Sequence, residues 1–181
     1  MPAIRVALVG VAIISAGIAA EGHSRGMAGP AAPSATVEIH AADGSLRASG
    51  TLAQRAEGIA VHVEAHGMAP GSYGIHVHAV GQCAGPGFAS AGGHWNPTGK
   101  QHGRDNPMGM HEGDLPNLVI AADGNGVLDA VIAGGMLNSG SAALLDADGA
   151  AIVIHADADD YRTDPSGNSG PRVACGVVQP A

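Results

Sequence analysis

Two histidines one residue apart stand in a short apolar stretch, GIHVHAV, at residues 74–80. Alternate side chains of a β-strand point to the same face, so His76 and His78 would lie side by side, with Cα atoms roughly 6 to 7 Å apart. At that separation both imidazoles can bind one metal ion. A polar strand face that only contacts solvent is the alternative.

Three more histidines and an aspartate follow in a segment that lacks strand patterning. Residues 81–114 are rich in glycine, proline and histidine, and they contain His94, His102, His111 and Asp114. Three histidines and one carboxylate would complete a tetrahedral zinc shell with no open position, which is typical of a structural site. Binding a metal would also order a long loop without a hydrophobic core, because metal-binding energy contributes to folding.

A further candidate ligand, His155, ends the apolar strand pattern AAIVIHA. A histidine at such a position is either a satisfied core residue or a ligand. Met108 and Met110 precede His111, and we interpret them as packing residues, with copper capture as the alternative. We interpret the remaining histidines as surface or strand residues; they are His23, His40, His62 and His66.

Short alternating apolar runs, separated by turn signals, must position these residues. The pattern predicts eight strands, at residues 35–41, 46–54, 58–66, 74–80, 115–121, 126–133, 150–156 and 172–178. No stretch has helical periodicity, so the fold class is all-β, an antiparallel barrel or sandwich. A second segment without strand patterning, residues 157–171, is the other predicted long loop.

The amino-terminal residues differ in composition from the rest of the chain. Residues 1–20 carry one charge, Arg5, before an apolar run that is short for a membrane span and suits a secretory signal peptide. An uncleaved anchor is the alternative. Residues 21–33 are rich in small residues and proline and are predicted to be a flexible tether, so the functional domain spans residues 34–181.

Two cysteines, Cys83 and Cys175, are the complete set in the chain. In an oxidising compartment an even pair favours a disulfide, with two free buried thiols as the alternative. The formal net charge of −8 repels phosphate backbones and anionic lipids, so nucleic acid and membrane surfaces are excluded as partners.

Six sequence motifs together resemble the copper/zinc superoxide dismutase family. They occur in order between residues 34 and 179, and they are GIHVHAVGQC, AGGHWNP, QHG, MHEGDLPN, VIHADADDY and GNSGPRVACGVV. The resemblance implies a flattened, immunoglobulin-like Greek-key barrel of eight antiparallel strands with two long functional loops. It also implies an enzyme that disproportionates superoxide to dioxygen and hydrogen peroxide. The predicted signal peptide adds that this enzyme is exported, to the periplasm or outside the cell.

The resemblance implies two metal sites that share one histidine. Copper would be held by His76, His78, His94 and His155, and zinc by His94, His102, His111 and Asp114. Imidazole suits both metals, while the carboxylate falls to zinc. Redox-inactive zinc would then position the bridging ring of His94, and copper would change oxidation state during the reaction.

Two further residues acquire roles from the same resemblance. Arg172 matches the family arginine near the copper mouth, where its guanidinium would guide the anion. Asp159 matches the aspartate that links a copper histidine to a zinc histidine, although Asp157 and Asp160 lie close enough to confuse the alignment. Asp157 also stands where many relatives carry a lysine, a charge that Arg162 could supply from the same loop.

Three other functions compete with the enzyme. A metal-delivery protein on the same barrel usually loses part of the ligand set, and a copper-only enzyme would not need His102, His111 and Asp114. A purely structural module would not need two histidines facing an open ion. Oligomeric state is open, with a homodimer as one possibility.

Overall fold

The structure is a computed structural model that describes residues 2–3 and 32–181. Nearly all of the predicted signal peptide, residues 1–20, and of the tether, residues 21–33, therefore lies outside the described residues. Ala32–Ala181 form one unit. Within the described part of the chain, no helix has the length and apolar character needed to cross a bilayer.

Ten strands and one short 3-10 turn, Ala89–Ala91, make up the regular structure of the described residues. The strands are β1 Ser34–Ala41, β2 Leu46–Arg55, β3 Gly58–Ala65, β4 Gly71–Tyr73, β5 Ile75–His78, β6 Leu118–Ile120, β7 Gly126–Ala133, β8 Ala151–His155, β9 Arg172–Val177 and β10 Gln179–Pro180. All eight predicted strands are confirmed. The sequence patterns missed β4 and β10, which have only three and two residues.

The main sheet is antiparallel and curled, with strands in the order β5-β8-β9-β1-β2-β3-β7 and with β10 paired to β1. Strands β4 and β6 pair separately. The chain crosses from β3 to β5 at the far edge of this order, and it crosses back from β7 to β8. Neighbours in the sheet are thus often distant in the chain, which is the Greek-key arrangement, and the predicted all-β fold class is confirmed.

The barrel core follows from the alternation of apolar and polar residues. In β1, Ala35, Val37 and Ile39 are buried while the residues between them are exposed, as the two-residue period of a strand requires. Strand β5 is buried on both faces. Ile75 and Val77 join the core, and His76 and His78 occupy the opposite face. The predicted common orientation of these two histidines is therefore confirmed.

A disulfide between Cys83 and Cys175 joins two segments that are 92 residues apart in the chain. Cys83 lies shortly after β5, at the start of the first long loop, and Cys175 lies in β9. The predicted pairing is confirmed. It fastens the first long loop to the strand that begins with Arg172.

Candidate metal centre

The first long loop, residues 79–117, covers the free edge of β5. Trp95 N–H donates to the Val77 carbonyl at 2.8 Å, and Val77 N–H donates to Gly113 at 2.9 Å. A Cβ on Gly113 would lie 2.3 Å from the Val77 carbonyl oxygen, so only glycine permits this approach. The loop backbone places His94 opposite His78 and Asp114 opposite His76.

The second long loop, residues 156–171, begins directly after the histidine that ends β8. The register between β8 and β9 shifts at this histidine, so that His155 pairs with Arg172 rather than with Val173. The extra residue of this irregularity, Val173, is in β9, so the irregularity affects Arg172 rather than His155. Alternation along β8 places His155 on the same face as Ala151 and Val153, whose partners in β5 are His78 and His76.

Four histidines form the first cluster; three of these residues are buried, and His94 is partly buried. Each offers one ring nitrogen, and the four nitrogens lie within 4.8 Å of one another; the residues are His76, His78, His94 and His155. Five buried side-chain nitrogen or oxygen atoms in the described residues lack a hydrogen-bond partner, and four of them belong to this cluster. Buried polar atoms are otherwise almost always paired, so these four nitrogens are suited to hold a metal ion.

Hydrogen bonds at the other ring nitrogens fix which atoms are free in this cluster. His78 Nδ1 lies 3.0 Å from the Gly92 carbonyl, and His155 Nδ1 lies 3.2 Å from the Gly170 carbonyl. A carbonyl only accepts, so both Nδ1 atoms carry the proton. The lone pairs are therefore on the two Nε2 atoms, which is the tautomer that a metal ligand needs.

A second cluster converges on one carboxylate oxygen. Asp114 Oδ1 lies 2.8 Å from His94 Nδ1, 3.0 Å from His102 Nδ1 and 3.1 Å from His111 Nδ1. Zinc bonds of about 2.0–2.1 Å in a tetrahedron place the ligand atoms about 3.3–3.4 Å apart. The observed separations are close to those of such a shell.

Hydrogen bonding alone does not account for this second cluster. His111 Nδ1 also lies 3.4 Å from His94 Nδ1, although both nitrogens would have to donate to Asp114. Two donors facing each other repel. The other carboxylate oxygen of Asp114 is already satisfied by the backbone N–H groups of Gly103 and His111. A cation among the four side chains would remove the conflict.

His94 belongs to both clusters. Its Nδ1 faces the carboxylate of Asp114, while its Nε2 is buried without a hydrogen-bond partner. The rings of His94 and His76 stack with centroids 4.0 Å apart. One imidazole therefore offers a nitrogen to each side, and the structure brings together all seven predicted ligands.

Asp159 connects the two clusters by contacting one histidine of each. Its side chain is fully buried, with Oδ2 2.7 Å from His76 Nε2 and Oδ1 3.0 Å from His102 Nε2. Asp157 and Asp160 make neither contact in the structure. An outer carboxylate of this kind orients ligand rings and fixes their tautomers.

Arg172 lies at a cleft of about 670 Å³ that opens over the histidines. Its guanidinium donates to the carbonyls of Phe88 at 2.8 Å and Gly92 at 2.6 Å. Among the described residues that line this cleft, Arg172 is the one permanently charged side chain. Neither Arg162 nor Asp157 lines this cleft. The structure therefore does not support the idea that Arg162 supplies the positive charge that many relatives carry at the position of Asp157.

Burial sets the protonation of the first cluster. It lowers the pKa of His76 to about 3, of His78 to about 2 and of His155 to about 4, and it also lowers the pKa of His94. These rings are therefore neutral near pH 7, and a neutral ring is required for metal binding.

The second cluster has the opposite electrostatics. Burial opposes protonation of His102, but the carboxylates of Asp114 and Asp159 outweigh it and raise the pKa of His102 to about 9. The same contacts hold the pKa of each aspartate well below its usual range, despite burial. A proton on His102 and a divalent cation at Asp114 are alternatives, so metal binding releases this proton.

Two residues that sequence patterns did not identify support Asp159. Asn117 exchanges two hydrogen bonds with the Asp159 backbone, at 2.8 and 2.9 Å. Tyr161 N–H donates to Asp159 Oδ1 at 2.6 Å. Both residues stand in or beside quoted motifs, but a single sequence contains no signal for these contacts. The surface histidines His40, His62 and His66 lie outside both clusters, and His23 lies outside the described residues.

Comparison with known proteins identifies the family. Residues 43–178 match the family model described as copper/zinc superoxide dismutase. The chain therefore belongs to the copper/zinc superoxide dismutase family, whose metals are copper and zinc, and the resemblance found in the sequence is confirmed.

Individual relatives agree with this assignment. The chain is 40% identical to a Cu-Zn superoxide dismutase of Caulobacter vibrioides over 149 residues, which cover 81% of this chain and 86% of that protein. It is 48% identical to the superoxide dismutase-like protein YojM of Bacillus subtilis over 129 residues. That alignment covers 67% of this chain and 63% of YojM, so the chain spans less than two thirds of that relative.

Solved structures share the fold. A superoxide dismutase-like protein from Bacillus subtilis superposes with a TM-score of 0.75 at 43% identity, over 78% of this chain and 96% of that one. The Cu/Zn superoxide dismutase from Brucella abortus superposes with a TM-score of 0.63 at 27% identity, over 81% and 99% of the two chains.

Proposed function

We propose that this protein disproportionates superoxide, converting two superoxide anions and two protons to dioxygen and hydrogen peroxide. Copper would be held by His76, His78, His94 and His155, and zinc by His94, His102, His111 and Asp114. The observation that carries the proposal is the set of four buried, unpartnered imidazole nitrogens beside a complete three-histidine, one-carboxylate cluster. The donor set fits both metals.

Copper, when bound, supplies the one-electron redox chemistry that the side chains lack, whereas zinc has none. The chain contributes the anion site. Arg172 is held in place by two backbone carbonyls, so its remaining donors are oriented before the substrate arrives. A guanidinium remains charged at any working pH, so it attracts superoxide into a cleft of a protein whose net charge is −8.

His94 contributes the proton. Its Nε2 is the atom of the shared ring that faces the first cluster, and it is the atom at which a proton would be held and then released toward the substrate. Asp114 fixes the ring through Nδ1, and stacking against His76 limits its rotation. Asp159 would hold His76 and His102 in matching orientations, so that the two halves of the centre keep their geometry together.

The test is metal content and activity measured on the same preparation. We expect about one copper and one zinc per chain by elemental analysis, and superoxide disproportionation by pulse radiolysis. His94→Ala should lose at least 100-fold in activity and weaken both metals. His62→Ala is the matched control, because its exposed side chain on β3 hydrogen-bonds, among the described residues, only surface carboxylates. A wild-type protein that binds both metals without activity would instead support the metal-delivery function.

Export stays a proposal. The disulfide supports it, because disulfides persist in oxidising compartments. We infer that residues 1–20 are a signal peptide, that residues 21–33 tether the domain of residues 34–181, and that the mature protein is periplasmic or extracellular without stable membrane association. Mass spectrometry of the protein from a periplasmic fraction would give the mature amino terminus. A homodimer also stays a prediction, which light scattering of the metal-loaded protein would check.

A further inference from the structure

Tyr161 makes four contacts with residues that lie beside the metal ligands in the chain or contact them. Its N–H donates to Asp159 Oδ1 at 2.6 Å, and its carbonyl accepts from Asp105 N–H at 2.9 Å. Its hydroxyl oxygen accepts from Asn117 N–H at 2.8 Å, and the guanidinium carbon of Arg104 lies 3.7 Å from the centre of its ring. Tyr161, which is in the second long loop, therefore contacts the first long loop at two places, residues 104–105 and Asn117.

The backbone of Tyr161 is in an unfavourable conformation. Its φ of +60° is in the left-handed region, which residues other than glycine, asparagine and aspartate rarely adopt. Such a conformation persists only where the surroundings impose it, and it is found often at functional sites. Here it accompanies the hydrogen bond from Tyr161 N–H to the Asp159 carboxylate.

The contacts around Asp159 form a closed ring. Tyr161 holds the backbone of Asn117, and the Asn117 side chain holds the backbone of Asp159 on both its N–H and its carbonyl. Asp159 in turn faces His76 and His102. The loop that carries His102 also packs on Tyr161, because a Cβ on Gly103 would lie 2.2 Å from the Tyr161 carbonyl oxygen.

We propose that Tyr161 is a positioning residue that sets the orientation of the Asp159 carboxylate, and through it the geometry of both metal sites. The proposal rests on the proposed function, since it requires metals at both clusters. Tyr161 does not line the cleft at Arg172, so it acts through Asp159 rather than on the substrate.

The chain provides a matched control, because it has two tyrosines and both use their hydroxyl groups. Tyr73, in β4, donates its hydroxyl to the Ala69 carbonyl at 2.8 Å, away from both clusters. Tyr161→Phe and Tyr73→Phe therefore each remove one phenolic hydrogen bond. Tyr161→Asn is the second variant, because asparagine tolerates the left-handed backbone but lacks the ring.

The experiment measures zinc affinity by chelator competition, and the visible absorption band of bound copper, in the full-length protein. We expect Tyr161→Phe to weaken zinc about 10-fold and to shift the copper band, with Tyr161→Asn at least as severe, while Tyr73→Phe changes neither. Thermal unfolding of the metal-free variants separates positioning from folding: the two phenylalanine variants should unfold at similar temperatures.

Results that would overturn the role of Tyr161 differ from the result that would overturn the proposed function. Unchanged zinc affinity and an unchanged copper band in Tyr161→Phe would overturn the role of Tyr161 while leaving the proposed function intact. Equal loss of zinc affinity in both phenylalanine variants would also overturn it, since the effect would then not be local. A wild-type protein that takes up neither metal would overturn the proposed function, and the role of Tyr161 with it.

Discussion

The sheet formed by β1, β2 and β3 and the two long loops are stabilised by different interactions. The three strands pair over their full lengths and bury an alternating set of aliphatic side chains, so ordinary hydrophobic packing fixes their positions. The loops, residues 79–117 and 156–171, contain little regular structure. Polar contacts connect them instead, among them those of buried histidines with Asp114 and Asp159.

Stability and function therefore depend on different parts of the molecule. An aliphatic core contributes its free energy whether or not a ligand is present. Unpartnered buried imidazoles and ring nitrogens that face one another cost free energy until a cation occupies the site. The loops should therefore depend on metal for their order, while the strands should not.

Metal removal should have the largest effect of the changes considered, and it should affect the loops but not the strands. Chelation should abolish activity, and it should lower the free energy of unfolding by about 4 kcal/mol or more at a free metal concentration 1,000 times the Kd. Hydrogen exchange should become faster at residues 94–114 and remain slow in β1–β3. Uniform acceleration across both regions would show that the two are not separately stabilised.

A core substitution should give the converse result. Leu52 is fully buried in β2, so Leu52→Ala should cost about 2–5 kcal/mol of unfolding free energy by denaturant titration. Activity per bound copper should stay close to wild type at temperatures where the variant is folded. A large loss of specific activity in the folded variant would mean that the strands and the loops are coupled more tightly than their contacts indicate.

Arg172→Ala should lower activity while leaving the metals bound. We expect a 10- to 100-fold decrease in rate, about 1.4–2.7 kcal/mol in the barrier, with a weaker dependence on ionic strength. Arg55→Ala is the control, because within residues 32–181 the side chain of Arg55 donates only to the carbonyl of neighbouring Gln54. Equal rates for wild type and Arg172→Ala across salt concentrations would remove the anion-guiding role.

Lowering the pH from 7 to 6 should destabilise the metal-free protein by the smallest of these amounts. Burial lowers the pKa of His76 to about 3 and of His155 to about 4, so below about pH 6.5 the unfolded chain binds more protons than the folded one. Stability is therefore full above that pH and falls as the pH decreases toward 4. Lowering the pH from 7 to 6 should cost on the order of 1 kcal/mol.

The check is a series of thermal unfolding curves for the metal-free protein between pH 7.5 and pH 5. His155→Gln should flatten the acid side of this profile, because it removes one of the titrating rings. His102 acts in the opposite direction: its pKa, raised to about 9, gives stability that is full below about pH 6.5 and is lost as the pH rises through 9. A profile unaffected by His155→Gln would exclude that ring as a source of acid sensitivity.

Strand alternation alone predicts those parts of the fold that depend only on neighbouring residues. Alternation in ATVEIHA and IAVHV located β1 and β3, and the same rule placed His76 and His78 on one face. It missed β4, whose sequence GSY has no alternation of apolar residues, and β10, which has two residues and contains a proline that is tolerated at a sheet edge. The predicted strand at residues 115–121 begins three residues before β6 and ends one residue after it.

The candidate site, like the fold, was predictable from the sequence only in part. Ligand types and spacing were readable in the sequence, and resemblance supplied their grouping. The role of Asp159 among three nearby aspartates, the register shift at His155 and the left-handed backbone of Tyr161 depend on contacts between distant segments. Such contacts leave no pattern in a single chain, so only the structure contains them.

Anomalous diffraction from crystals of the copper- and zinc-loaded protein, collected at both metal edges, tests the central claim most directly. The shared-ring arrangement predicts a copper peak about 2 Å from Nε2 of His94 and a zinc peak about 2 Å from its Nδ1. Two peaks of which only one contacts His94, or a single peak occupied by either metal, would contradict it.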